Sequence, residues 1–252
     1  MTIVAIVDLD NTLIRGSYLF HFGSYLVRRR LLSPRSLIPF MLAELRYVRD
    51  RQERPGMPQR VTESVLDVAR GRDQATLVAL CRDFVDQSLE RFVVQEVLEA
   101  VVDLRDLGIP VYIATASPQE LAEVIAERLG FAGGLGTVSE VIDGKYTGRL
   151  ASAIMHGEHK KSRVQALLAA LEADPSRCWA FSDSANDLPL LESVGWPVAV
   201  NADAKLQTIA ASLGWLTIDS SKDVPENRWS ARWNSTSNRW LRQNPATDVP
   251  MH

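Results

Sequence analysis

Ile3 to Val7 is an unbroken β-branched and apolar run. It reads as a strand buried on both faces, as in a parallel sheet. Polar residues, Asp8 to Thr12, follow at its C-terminal end, the edge at which ligand sites of open α/β sheets gather. From about Ser17 to Glu99 the pattern turns helical. Ser17 is placed to N-cap the run YLFHFGSYLVRRR, and Ser33-Pro34 to start a second helix with Pro34 at its first position. RQERPGMPQ breaks the pattern near residues 51–59, and two or three more helices fill about 60–100.

Strand patterning then resumes. Pro110 to Ala114 is a strand, and Thr115-Ala116-Ser117-Pro118 opens a helix reaching about Leu129. TVSEVIDGKYTGRL has the form of a strand and hairpin turning at Asp143-Gly144. A helix over about Lys160 to Ala173 precedes a strand at Cys178 to Phe181 that ends in SDSAND. Pro197 to Val200 and Trp215 to Ile218 are further short strands. This alternation predicts an α/β fold with a doubly wound, Rossmann-like parallel sheet. Residues 1–16 and 100–219 would form the core, 17–99 an inserted helical cap, and 220–252 a polar tail. The tail would be poorly ordered or docked on the domain; otherwise Trp229, Trp233 and Trp240, which would share one helical face, would meet a membrane surface or partner.

Bulk properties narrow the classes. At 252 residues, 46% apolar and 23% charged, the chain suits one domain with an insertion. A net charge of -3 gives no global basic field for nucleic acid. Cys81 and Cys178 match no metal spacing and read as buried small hydrophobes in a reducing cytoplasm. No signal peptide opens the sequence, and no apolar stretch approaches the ~18 residues of a membrane span. Contact with a membrane surface stays open. The block from Arg28 to Arg60 is basic, with Arg28, Arg29, Arg30, Arg35, Arg46, Arg49, Arg51, Arg54 and Arg60 against Glu44, Asp50 and Glu53. It is a solvated face, or it steers an anionic substrate or faces anionic lipid.

Candidate chemistry gathers at the strand ends. DLDNTL places two carboxylates, Asp8 and Asp10, at i and i+2, where side chains of an extended segment point the same way. A lone D-x-D pair carries little weight. Here Thr115 and Ser117 end another strand, Asp183 and Asp187 a third, and Lys160 opens a helix after GEH. Read singly, Thr115 and Ser117 are equally caps for the helix behind Pro118, Asp187 a cap for LPLLESV, and Lys160 or Lys161 a solvated surface group. Asn11 and Thr12 would fix the turn after the first strand, with Thr12 orienting Asp10. His156 and His159 lack a third ligand for zinc and read as solvated loop residues.

Taken in order, these four motifs resemble the haloacid dehalogenase superfamily of phosphohydrolases, over nearly all of residues 3–218. ATASP, GEHKKSRV and SDSANDLPLL are similar to the phosphoserine-phosphatase-like subfamily, IB. The resemblance implies that Asp8 attacks phosphorus and Asp10 serves as acid and then base. Thr115, Ala116, Ser117 and Lys160 would hold the phosphoryl group. Mg²⁺ would sit on the Asp8 and Asp183 carboxylates and the Asp10 carbonyl, with Asn186 and Asp187 behind it. General chemistry agrees: a carboxylate nucleophile divides hydrolysis into two easier steps. Its approach to an anion needs a hard cation and a lysine to cancel repulsion. The expected substrate is a small phosphorylated metabolite. Phosphoserine phosphatases carry a glutamate early in the cap, and Ser17 stands at that position, a departure that tells against phosphoserine itself. A lipid phosphate is the alternative ester. Other classes fit less well: a phosphoaspartate receiver lacks such a cap and the SDSAND cluster, a haloalkanoic dehalogenase lacks Asp10, and a silent binding protein would not fill every catalytic position. A phosphomutase would need a means of retaining the phosphoryl group.

Overall fold

A computed structural model describes residues 2–38, 62 and 65–220. The RQERPGMPQ break, the arginines from Arg46 to Arg60 and the tail tryptophans lie outside the described residues. Strand β1 (Ala5–Val7) leads to α1 (Tyr18–Arg28) and a 3₁₀ turn at Pro34–Leu37. Helices α2 (Gln74–Phe92) and α3 (Gln95–Asp106) then bring the chain back to β2 (Val111–Pro118). Next come α4 (Gln119–Leu129), β3 (Gly133–Thr137), a hairpin of β4 (Ser139–Ile142) and β5 (Lys145–Leu150), and α5 (Gly157–Ala170). Strand β6 (Trp179–Ser182), the short α6 (Leu188–Leu191), β7 (Trp196–Val200), α7 (Ala204–Leu213) and β8 (Leu216–Ile218) complete the fold.

Six strands form one sheet in the order β3-β2-β1-β6-β7-β8, all parallel. The expected doubly wound, Rossmann-like sheet is therefore present. β1 is central and wholly buried because alternate residues face opposite layers. Ala5 and Val7 join an apolar cluster with α1, α2 and α3, while Val4 and Ile6 join a second with α5, α6 and α7. The chain leaves β1 toward β2 on one side and reaches β6 on the other. The C-terminal end of β1 is thus a topological switch point, where neighbouring connections diverge and leave a crevice.

Local chemistry explains several elements. Ser17 caps α1, accepting from the Phe20 N–H at 3.3 Å, and Ser33 caps the turn led by Pro34. Asp143 and Gly144 both take positive φ, 49° and 75°, giving the primed turn that matches strand twist in a two-residue hairpin. β3 differs from expectation. Its sequence, GGLGT, has no strand propensity, and β2 runs on past Ala114 to Pro118 beside it through a register shift. Glycine is needed there for proximity: a Cβ on Gly134 would stand 2.5 Å from the Ala122 carbonyl carbon of α4. Gln119 spans the same contact, its amide donating to Gly134 O at 2.7 Å and accepting from Gly136 N at 2.6 Å.

Candidate functional site

Asp8 follows β1 and is buried. Beyond it the chain coils: Asn11 takes a left-handed φ of 57°, and Leu13 and Ile14 donate back to the carbonyls of Asp8 and Leu9. This coil carries Thr12 under Asp8. The Thr12 hydroxyl donates to Asp8 Oδ2 at 3.2 Å and lies 3.5 Å from Asp183 Oδ1. Thr12 therefore orients Asp8, not Asp10 as expected, because the coil returns its side chain toward the strand end. One hydroxyl within reach of both carboxylates also places Asp8 and Asp183 side by side.

Asp10 has its own clasp. Oδ1 accepts the Tyr18 N–H, the first of α1, at 2.6 Å. Oδ2 accepts the Ser117 hydroxyl at 3.0 Å and the Thr115 hydroxyl at 3.5 Å. Both hydroxyls face the site and neither caps α4, whose N-cap, Pro118, has no side-chain bond. Ala116 between them is exposed, and its carbonyl accepts from Thr137.

Lys160 and not Lys161 reaches the site. Its Nζ, nearly inaccessible to solvent, donates to Asp8 Oδ1 and Asp187 Oδ2, each at 2.6 Å. Lys161 turns toward Glu158 at the surface. Asp187 is buried rather than a surface cap, and it also accepts from Ser182 Oγ at 2.7 Å. Asn186 is exposed in the same turn, its N–H bound by Ser184. His159 departs from expectation: it lies in the first turn of α5, with Nε2 buried and without a hydrogen-bond partner among the described residues.

Sequence reasoning missed four supports. Ser182 holds Asp187. Thr137 ties Ala116 to Met155 just ahead of α5, its hydroxyl donating to the former at 2.8 Å and accepting from the latter at 3.1 Å. Asp203 donates its N–H to Asp183 O while its carboxylate accepts from Ala185 N and Leu206 N. Asn201, with φ 45°, reaches Asn11 O at 3.5 Å. A polar residue at the last position of a strand, or within three residues after it, is the only signal any of them left.

Burial dominates the electrostatics. It pushes the Asp8 carboxyl well above the usual carboxylate range, with Lys160 opposing and Asp187 adding to the rise. Burial also raises Asp10, against hydrogen bonds from Tyr18 and Ser117. Desolvation alone would lower Lys160, but Asp187 and Asp8 outweigh it and keep the ammonium charged. Among the described residues, four carboxylates and one lysine thus gather at the site. An added phosphate dianion would leave a large uncompensated negative charge, so the site calls for a divalent cation. Among the described residues no group of three His, Cys, Asp or Glu side chains is arranged to hold a metal. The donors that the fold brings together are instead two adjacent carboxylates, Asp8 and Asp183. This all-oxygen set fits Mg²⁺, which keeps several waters and takes few protein ligands.

The sequence matches the family of haloacid dehalogenase-like hydrolases over residues 5–192. Phosphoserine phosphatase SerB1 of Mycobacterium tuberculosis is 38% identical over 215 residues, covering 85% of this chain and 70% of that protein. The crystal structure of a Bordetella pertussis protein of unknown function superposes with a TM-score of 0.74 at 27% identity, over 87% of this chain and 100% of that one. A phosphoserine phosphatase solved as an analogue of its phospho-aspartyl intermediate shares the fold, with a TM-score of 0.61 at 15% identity, over 92% and 98% of the two chains. With the strand order, the motif residues and this match in agreement, the chain belongs to the haloacid dehalogenase-like hydrolase family and groups with its phosphatases.

Proposed function

We propose that this chain is a magnesium-dependent phosphomonoesterase that hydrolyses a small phosphorylated metabolite, in the cytoplasm, through an aspartyl-phosphate. The observation that carries this reading is the pair of separate clasps. Asp8 is gripped by Lys160 and Thr12, while Asp10, two residues on, is held by Tyr18, Ser117 and Thr115. Two acids so close, with different partners, are suited to different tasks. Residues 17–99 would serve as a cap over a core of 1–16 and 100–219.

In the first step an Asp8 oxygen forms a bond to phosphorus as the ester P–O bond breaks, and Asp10 gives its proton to the departing alkoxide. In the second, Asp10 takes a proton from water as that water attacks phosphorus, and the Asp8–phosphorus bond breaks to release phosphate. Lys160 and the Thr115 hydroxyl neutralise and orient the phosphoryl oxygens. Mg²⁺ on Asp8, Asp183 and the Asp10 carbonyl, backed by Asn186 and Asp187, would supply the remaining positive charge.

Substrate choice falls to the helical block. Similarity to a phosphoserine phosphatase favours phosphoserine. Against it, Ser17 spends its oxygen capping α1, and no Asp or Glu occurs from Asn11 to Ala43 to meet an amine. A phosphate ester without an ammonium group fits better. Asp8→Asn should cut turnover of an aryl phosphate by about three orders of magnitude or more. Near-normal activity of a clean preparation would refute the nucleophile. A panel including phosphoserine, histidinol phosphate and lysophosphatidate, ranked by kcat/KM, would identify the ester.

A further inference from the structure

We infer that the C-terminal end of α1 and the turn after it form a docking surface for an anionic lipid bilayer. Four large apolar side chains are exposed among the described residues, and two of them, Leu31 and Ile38, lie here, at 39% and 50% exposure. Arginines surround them. Arg28, Arg30 and Arg35 are exposed, and Arg72 is carried in from the segment ahead of α2, its guanidinium donating to Leu31 O at 2.9 Å. Of the arginines here only Arg29 meets a carboxylate among the described residues, Asp83. The sequence from Asn11 to Ala43 holds five arginines and no acid, although the whole chain has a net charge of -3. Four of those five, Arg28, Arg29, Arg30 and Arg35, belong to the end of α1 and the turn after it, so positive charge is gathered along this stretch beside its two exposed apolar side chains.

The backbone keeps this arrangement at a cost. α1 ends in a Schellman motif: Arg30 N–H bonds Val27 O and Leu31 N–H bonds Leu26 O, both at 2.9 Å. That motif puts Arg30 in the left-handed region, at φ 60°, where glycine is the unstrained choice. In such a motif the following apolar residue commonly packs back on the helix, yet Leu31 remains well exposed. An arginine in a strained position and a leucine left in water are explained together by a partner that takes both. Anionic headgroups meet the guanidinium groups, and the acyl boundary receives Leu31 and Ile38. Chains that only need solubility gain nothing from the exposed leucine.

Sedimentation of the full chain with vesicles tests this. Binding to phosphatidylcholine vesicles containing phosphatidylglycerol, weakened by salt, and none to pure phosphatidylcholine is expected. Replacing Arg28, Arg30 and Arg35 together by Gln should lower the partition roughly 100-fold, while aryl phosphate turnover stays at the level of the unaltered chain. Arg30→Gly is the sharper variant. It relieves the left-handed strain, so Tm should hold or rise, yet vesicle affinity should fall about fivefold. Leu31→Ser with Ile38→Ser should weaken binding without changing its salt dependence. No pelleting, equal pelleting of neutral vesicles, or undiminished binding by the triple variant would overturn the inference. Capture by heparin with no binding to vesicles would make the face a polyanion site and also overturn it.

Discussion

A carboxyl group buried as Asp8 is would ordinarily be neutral, and a neutral acid does not attack phosphorus. Lys160, 2.6 Å from Oδ1, is the group that works against the burial. Removing it raises the Asp8 pKa further, so a higher pH is needed to ionise the proposed nucleophile. Lys160→Gln should therefore move the acid limb of the kcat/KM profile upward by about one pH unit or more, besides lowering the plateau. A limb that stays in place or moves downward would contradict this coupling. In the sequence Asp8, Asp10 and Asp183 stood out because carboxylates seldom end buried apolar strands unless something binds there. Thr115 and Ser117 were ambiguous there, since a hydroxyl before a helix is equally a cap. Their distances to Asp10 resolve that ambiguity. Thr12 was assigned to the wrong partner because the coil behind Asn11 sets its direction, and that coil closes through backbone bonds that no side chain announces.

At the scale of elements, β1, α4, α5 and the hairpin were legible because each carries a period or a turn pair that few other conformations satisfy. β3 was not. Its glycines exist for closeness to α4 rather than for strand propensity, and such closeness is a property of two elements together. Gly134→Ala should be destabilising by about 1–3 kcal/mol, since the added methyl meets backbone of Ala122 that cannot rotate away. A urea midpoint equal to that of the unaltered chain would show that β3 and α4 have more room. The hairpin also reaches the helical block: Gly71 N–H bonds Tyr146 O, Tyr146 N–H bonds Arg72 O, and Gln74 N–H bonds Gly144 O. Glu120 of α4 reinforces this junction, accepting from Tyr146 at 2.8 Å and from Gln74 at 3.4 Å. Hydrogen bonds of this kind fix where α2 begins relative to the sheet.

Across the whole molecule, the site gathers Asp8, Asp10, Asp183 and Asp187 against one lysine at the switch point of the sheet. Folding must bring these like charges together, so a bound cation should stabilise the native state. By mass action, Mg²⁺ at about 100 times its dissociation constant contributes roughly 2.7 kcal/mol. For a chain of this size that is a rise in Tm of about 5–10 °C. Asp183→Ala should abolish the rise, and chelation should remove turnover. A Tm indifferent to Mg²⁺ in the unaltered chain would count against the proposed donor set. Residue order alone determined the parallel sheet and the four motif positions, because apolar runs must be buried and polar residues at their ends must face a common edge. Only the folded chain decided which acid each hydroxyl serves and where arginine and leucine meet in the turn after α1. Those choices depend on distances between segments far apart in sequence, and a linear pattern does not encode them until packing closes the loops between.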